Sequence, residues 1–284
     1  MFDFLDYGFM QRALAGSIVV GTVCSIIGVY VVLRGMAFLG DGMAHASFGG
    51  VALGFLLGIN PLLVAMLFSL ATAGLIQVTS RRAQLRLDAA IGVFFSFTMA
   101  LAILFIGLMR TYDARLYGYL FGNVLGVSSA NLILMAFLAA VVLAAIAALF
   151  KELKFLVFDE ETAQASGLPT GLLSTALVIL VALTVVISIK AVGIILVTAL
   201  LVTPAATAYQ LTNRFGMMFL LSWLAGMASC LVGMFFSYQV GIPSGSSIVI
   251  TATLLFALAT IFSPKRHPCP VCEAEGESKS RTPT

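Results

Sequence analysis

Long, uninterrupted apolar runs dominate this sequence and limit the folds that are open to it. Runs of about 20 residues, the length that a helix needs to cross a bilayer, follow one another along most of the chain. A transmembrane β-barrel would instead show short segments in which polar and apolar residues alternate. The pattern therefore predicts membrane-spanning helices.

Charged residues are too few to cover the surface of a soluble domain. Only 10% of the 284 residues are charged and 61% are hydrophobic, whereas about 25% of the residues in a soluble protein are charged. The surrounding solvent is therefore expected to be the lipid bilayer. We predict an all-α polytopic membrane protein with nine transmembrane helices, at 13–33, 36–58, 61–79, 89–109, 131–150, 171–190, 191–210, 215–238 and 245–262.

The distribution of basic residues predicts how these helices are oriented. Lys and Arg are enriched in cytoplasmic loops. With the N-terminus outside, eleven of the 15 basic residues fall on the cytoplasmic side. This orientation gives a transmembrane domain over residues 1–262 and a polar cytoplasmic tail over 263–284. No nucleic-acid partner is expected.

Two polar residues inside the second apolar run, Asp41 and His45, are the first candidates for function. Their spacing of four residues places both on one face of a helix. A carboxylate within the bilayer costs about 2.5–3.5 kcal/mol on insertion scales, so such residues face protein or water and are functional candidates. Carboxylate and imidazole ligands suit zinc, manganese or iron(II). A structural hydrogen bond or a proton relay would use the same pair.

One Asp–His pair does not complete a metal site. A second copy of the pair across the axis of a homodimer would bring the number of ligands to four, which is enough for a tetrahedral ion. Small residues recur every fourth position on the same helix and allow close packing against a neighbouring helix or a second copy. These residues are Ala46, Gly50, Gly54 and Gly58.

The polar tail contains a second candidate metal site. Cys269 and Cys272 form a Cys-Pro-Val-Cys sequence, which is half of a zinc knuckle, and His267 lies just before it. A second chain could supply the missing half, and a disulfide is not expected in a reducing cytoplasm. The alternative is a disordered tail in which the pair is incidental.

The predicted cytoplasmic loop 151–170 combines an acidic cluster, small residues and a Gly-Leu-Pro sequence. This order predicts a short helix that ends at the glycine and proline. Such a helix could dock a soluble partner, although the composition also fits a solvated connecting loop. The candidate partner-coupling residues are Asp159, Glu160, Glu161, Ala163 and Gly167.

Several classes of function lack their signature motif in this sequence. It contains no G-x-x-x-x-G-K-[ST] phosphate loop, so the chain is not expected to hydrolyse ATP, and no H-E-x-x-H protease motif. No helix carries the row of arginines of a voltage sensor. We therefore interpret the chain as a transport subunit rather than an enzyme, with no permanently bound cofactor.

Four stretches of the chain resemble one transporter family. They are YGFMQRALAG at 7–16, VVLRGMAFLGDGMAHASFGGVALG at 31–54, LYGYLFGNVLGVS at 116–128 and LLVTPAATA at 200–208. The family is the membrane permease subunit of ABC importers for zinc, manganese and iron, and the D-x-x-x-H pattern in the second stretch is its most specific motif.

The resemblance implies a homodimeric permease in a prokaryotic cell membrane. Its implied partners are a cytoplasmic ATP-binding subunit and an extracytoplasmic metal-binding protein. Asp41 and His45 would form part of the transit site, and FDEETAQASGLP at 158–169 would couple the permease to the ATP-binding subunit. Zinc or manganese would be the transported ion, with iron possible and zinc slightly favoured by the AHAS stretch. The Cys-x-x-Cys tail departs from the family pattern.

Two other functions are compatible with the same residues. An ATP-independent transporter would use Asp41 as a proton-coupling group. A membrane-bound metal sensor would instead use the cysteine pair of the tail.

Overall fold

Twelve α-helices, and no strands, form the part of the chain that the structure describes. The structure is a computed structural model, and it describes residues 8–109, 115–122 and 128–263. In chain order the helices are α1 (Gly8–Leu33), α2 (Ala37–Leu57), α3 (Pro61–Arg82), α4 (Leu87–Leu108), α5 (Arg115–Phe121), α6 (Ser129–Ala148), α7 (Phe150–Phe158), α8 (Glu160–Ala165), α9 (Thr170–Val192), α10 (Ile194–Leu211), α11 (Phe215–Val240) and α12 (Ser244–Ile261).

The predicted all-α class is confirmed, whereas the number of membrane crossings and the orientation stay predictions. Each predicted segment coincides with one of the long helices. Within the described residues, seven helices are long and apolar enough to cross a membrane: α1, α3, α4, α6, α9, α11 and α12. The two long helices outside this set are α2, in which glycines and the Asp41–His45 pair interrupt the apolar run, and α10, which is apolar and has 18 residues.

The boundary between α9 and α10 falls at Gly193 rather than at the predicted position, Lys190. Gly193 has a φ of +87°, a backbone conformation that glycine adopts readily because it has no Cβ atom. Ile194 then begins α10 at once. The two adjoining apolar runs are therefore separate helices, divided by a single glycine.

Helix α2 packs against α3, α4, α9 and α10. A Cβ atom on Gly50 would lie 2.6 Å from the Cα atom of Ala65, and one on Gly54 would lie 2.7 Å from the Cα atom of Pro61. The predicted small-residue stripe thus packs against α3 within one chain. Gly58, the last member of the stripe, instead caps α2 with a φ of +67°.

Two short helices, α7 and α8, fill the predicted cytoplasmic loop between α6 and α9. Helix α7 is amphipathic, because it buries Leu153 and Leu156 and exposes Phe155 and Phe158. Helix α8 follows directly and contacts α7 and α9. The loop is therefore structured over most of its length.

Candidate functional site

Asp41 and His45 lie in neighbouring turns near the start of α2. The Nε2 atom of His45 is 3.9 Å from the Oδ1 atom of Asp41, so the two side chains share a helix face as their spacing predicts. This distance exceeds that of a hydrogen bond, which is about 2.7–3.2 Å for a nitrogen donor. The geometry does not favour the structural hydrogen bond that the sequence left open.

The surroundings of His45 leave one of its ring nitrogens without a partner. The imidazole ring meets the ring of Phe95 on α4 edge to face, with centroids 4.7 Å apart. The Nδ1 atom is buried and has no hydrogen-bond partner in the described part of the chain. Most buried polar atoms do have a partner, so this ring is a candidate for binding a group that a single chain does not supply.

The backbone of Asp41 is held between two other helices by the glycines on either side of it. A Cβ atom on Gly40 would lie 2.7 Å from the side chain of Leu201 on α10, and one on Gly42 would lie 2.8 Å from the side chain of Ile91 on α4. The carboxylate side chain remains 42% exposed. An acidic group this open within an apolar protein needs water, an ion or a partner protein beside it.

The described residues provide only two candidate ligands at this position. Within 8–109, 115–122 and 128–263, no group of three or more His, Cys, Asp or Glu side chains is close enough to hold a metal ion. Cys24 and Cys230 are free, buried thiols on α1 and α11. The predicted tail site of His267, Cys269 and Cys272 lies outside the described residues.

The predicted coupling segment begins with a capped helix. The Oδ1 atom of Asp159 accepts a hydrogen bond of 2.9 Å from the backbone N–H of Thr162, and its Oδ2 atom accepts one from the Thr162 hydroxyl. The side-chain and backbone hydrogen bonds from Thr162 lower the pKa of Asp159 from its ordinary value of 3.8. An acidic N-cap of this kind fixes where α8 begins.

The same helix ends at the glycine that the sequence identifies. Gly167 has a φ of +82° and donates its N–H to the carbonyl of Gln164 at 3.0 Å. The next N–H, that of Leu168, reaches the carbonyl of Ala163 at 3.1 Å. This pair of bonds is the Schellman arrangement, which gives the last carbonyl groups of a helix their partners.

The side chains of α8 divide into an exposed set and one buried residue. Glu160, Glu161 and Gly167 are exposed, whereas Ala163 is completely buried. Ala163 therefore holds α8 against the rest of the protein. The two glutamates and the terminal glycine form the accessible side of this segment.

A polar cavity of about 350 Å³ lies between the end of α1, the end of α3, the start of α4, α8 and the start of α9. Sequence reasoning used its basic residues only to orient the helices and missed the cavity. The sequence feature that could have indicated the cavity is the cluster of basic residues around Asp88, at the turn between two apolar runs. The charged residues of the lining are Arg34, Arg81, Arg86, Asp88 and Glu160.

Comparison with known protein families and sequences shows that this chain is similar to metal transporters. The model of the ABC 3 transport family matches residues 6–263. The manganese transport system membrane protein MntC of Listeria innocua is 39% identical over 262 residues, which cover 92% of this chain and 93% of the relative. The manganese import system permease protein ScaB of Streptococcus gordonii is 37% identical, with coverage of 92% and 94%.

Comparison with solved structures gives a similar architecture. A chain of PsaBC from Streptococcus pneumoniae, solved in complex with Fab, superposes with a TM-score of 0.83 and 36% sequence identity. The match covers 93% of this chain and 96% of that chain. The long helices and their packing are therefore shared over nearly the whole length of both proteins.

Proposed function

The chain belongs to the ABC 3 transport family, and on that premise we propose that it is the translocation subunit of an ATP-driven manganese importer. It is a metal-ion ABC permease and a multi-pass protein of a prokaryotic cell membrane. The proposal adds nine membrane crossings with the N-terminus outside, a homodimer, and a separate cytoplasmic chain that hydrolyses ATP. It also adds an extracytoplasmic protein that delivers the ion.

Manganese is the proposed cargo because relatives at 39% and 37% identity are named for manganese transport. The AHAS stretch at 44–47 slightly favours zinc, but this preference has no support from those names. A carboxylate and an imidazole without a nearby thiolate form a ligand set that manganese accepts. Zinc and iron(II) accept the same ligands, so uptake in competition among the three ions identifies the cargo.

The distance between Asp41 and His45 is the observation that carries the proposed transit site. Nitrogen and oxygen ligands lie about 2.0–2.2 Å from a zinc ion, so two such ligands of one ion are at most about 4.4 Å apart. The observed 3.9 Å between His45 Nε2 and Asp41 Oδ1 fits within this limit. A second copy of the pair, contributed by the other chain of a homodimer, would raise the number of ligands to four. Binding would neutralise the carboxylates and offset the cost of placing them in the membrane.

The proposed docking site for the ATP-binding subunit is the exposed side of α8. This helix is short and capped at both ends, and it presents Glu160, Glu161 and Gly167 to the solvent. ATP binding and hydrolysis on the partner would move this segment and alternate access to the transit site. The tail site of His267, Cys269 and Cys272 remains a proposal of a separate, regulatory metal site.

The test is uptake of radioactive manganese by the complete complex in proteoliposomes that contain ATP. His45→Ala should abolish uptake while the ATP-binding subunit still co-purifies, because the residue lies at the ion and away from α8. Phe236→Ala is the control, because Phe236 is an exposed ring on α11, a helix that carries none of the proposed site residues, and it should retain uptake. Unchanged uptake by His45→Ala would refute the transit site. Uptake that needs a proton gradient but no ATP-binding subunit would instead establish the ATP-independent alternative.

A further inference from the structure

One side-chain ion pair joins α8 to the turn between α1 and α2. The Nη2 atom of Arg34, the residue that follows α1, donates to the Oε2 atom of Glu160 on α8. The Arg34 side chain is 12% exposed, whereas that of Glu160 is 50% exposed. The pair therefore extends from the protein interior to the accessible side of the docking segment.

The turn that carries Arg34 leads directly into the helix of the proposed transit site. Gly35 donates its N–H to the carbonyl of Val32 at 3.1 Å, and Met36 donates to the carbonyl of Val31 at 3.0 Å. These bonds close the turn, and α2 begins at the next residue. From that point to Asp41 the helix rises by about 6 Å, at 1.5 Å per residue. A displacement of Arg34 would therefore move the start of α2, about one helical turn before Asp41.

Other contacts of α8 do not reach α1–α4 through polar side chains. Its remaining side-chain hydrogen bonds are local, between Asp159 and Thr162 and between Thr162 and Ser166. Its packing neighbours are α7 and α9, the helices that flank it in the chain. Among the described residues, the Arg34–Glu160 pair is thus the one polar side-chain connection from α8 to the helices that surround the transit site.

Free space next to the pair allows the guanidinium group to move. Arg34 and Glu160 both line the polar cavity of about 350 Å³. The Nη1 atom of Arg34 is buried but has no hydrogen-bond partner in the described part of the chain. The recorded hydrogen bond of the guanidinium group is the one to Glu160. Arg34 can therefore move together with Glu160 without breaking another recorded bond.

We propose that Arg34 is a positioning residue, which transmits the movement of the docking segment to α2 through Glu160. This inference rests on the proposed function, because it assumes that the ATP-binding subunit docks on α8. Arg34→Gln removes the buried charge itself, and the half-exposed Glu160 that remains can be hydrated. The loss of this pair should therefore disturb communication between the two sites much more than folding.

The experiment measures ATP hydrolysis and manganese transport in the same proteoliposomes that contain the complete complex. Arg34→Gln should lower the number of ions transported per ATP hydrolysed roughly tenfold, which is within the usual range of coupling between sites. ATP hydrolysis, subunit assembly and the thermal unfolding temperature should stay close to those of the wild type. Arg82→Gln is the matched control, because Arg82 is exposed on the neighbouring end of α3 and does not line the cavity.

Exchange of the two charges separates a coupling role from a structural one. Arg34→Glu and Glu160→Arg should each lower the transport-to-hydrolysis ratio, and the double variant should recover a large part of it. A wild-type ratio in Arg34→Gln would overturn the inference. It would also be overturned if Arg34→Gln lost hydrolysis, assembly and transport together, or if the double variant showed no recovery. A wild-type complex that does not transport manganese would contradict the proposed function instead.

Discussion

The ring of Phe95 on α4 stands edge to face against the ring of His45 on α2, with an angle of 83° between their planes. Aromatic pairs in this arrangement contribute about 0.5–1.5 kcal/mol beyond the area that they bury. The contact restrains the imidazole while its Nε2 atom points towards Asp41. Phe95 therefore orients a proposed ligand without being one.

We predict that Phe95→Ala raises the apparent KM for manganese but does not abolish transport. A contact of about 0.5–1.5 kcal/mol corresponds to about 2- to 13-fold in affinity, so the apparent KM for manganese should rise about two- to tenfold. Uptake measured over a range of manganese concentrations tests this prediction. Phe97→Ala provides the control, because Phe97 lies on the same helix but its side chain is 54% exposed. Equal KM values for the two variants would contradict the orienting role.

We predict that Gly50→Ala destabilises the protein, although alanine is the better helix former. The added methyl group would lie 2.6 Å from the Cα atom of Ala65, and overpacking of this kind costs about 1–3 kcal/mol. The matched variant is Gly74→Ala on α3, where no atom lies within 4 Å of the added Cβ. This change should be neutral or stabilise by up to about 1 kcal/mol. Thermal unfolding in detergent compares the two, and a Gly50→Ala protein as stable as Gly74→Ala would refute the close α2–α3 contact.

We predict that the start of α8 loosens in acid because of Asp159. Its native pKa lies below 3.8, whereas the unfolded segment titrates near that value. The charged carboxylate therefore stabilises the helix fully above 3.8, and this contribution disappears as the pH falls through the lower native pKa. Hydrogen exchange of the Thr162 amide, corrected for the intrinsic effect of pH, should show protection that decreases over this window.

Two variants of Asp159 separate the cap from its charge. Asp159→Ala should lower the protection of the Thr162 amide roughly fivefold at neutral pH, as expected for the loss of an N-cap. Asp159→Asn keeps a good capping side chain but cannot titrate, so its protection should no longer depend on pH. An acid-dependent loss that persists in Asp159→Asn would assign the effect to a different group.

Features that depend on local sequence were predictable. The positions of the long helices follow from apolar runs, and the shared face of Asp41 and His45 follows from a spacing of four residues. The end of α8 at Gly167 follows from the need for a left-handed residue after a helix. None of these predictions requires knowledge of which helices are neighbours.

Features that depend on long-range packing were not predictable from one sequence. Arg34 and Glu160 are 126 positions apart, and nothing in either segment indicates the other. The glycine stripe indicated a close contact, but only the fold identifies α3 as its neighbour. The identity of the ion is also not encoded in the ligand pair, because zinc, manganese and iron(II) share these ligands.

The exposure of Asp41 has a consequence for biogenesis. In one isolated copy, 42% of this side chain is accessible. A newly inserted chain without a partner must therefore keep the carboxylate hydrated or hold it against lipid, at a cost of about 2.5–3.5 kcal/mol on insertion scales. Assembly of two chains around a cation would remove the cost of this unpaired carboxylate. The residue proposed to pass the ion would then also favour the assembled protein over the single inserted chain.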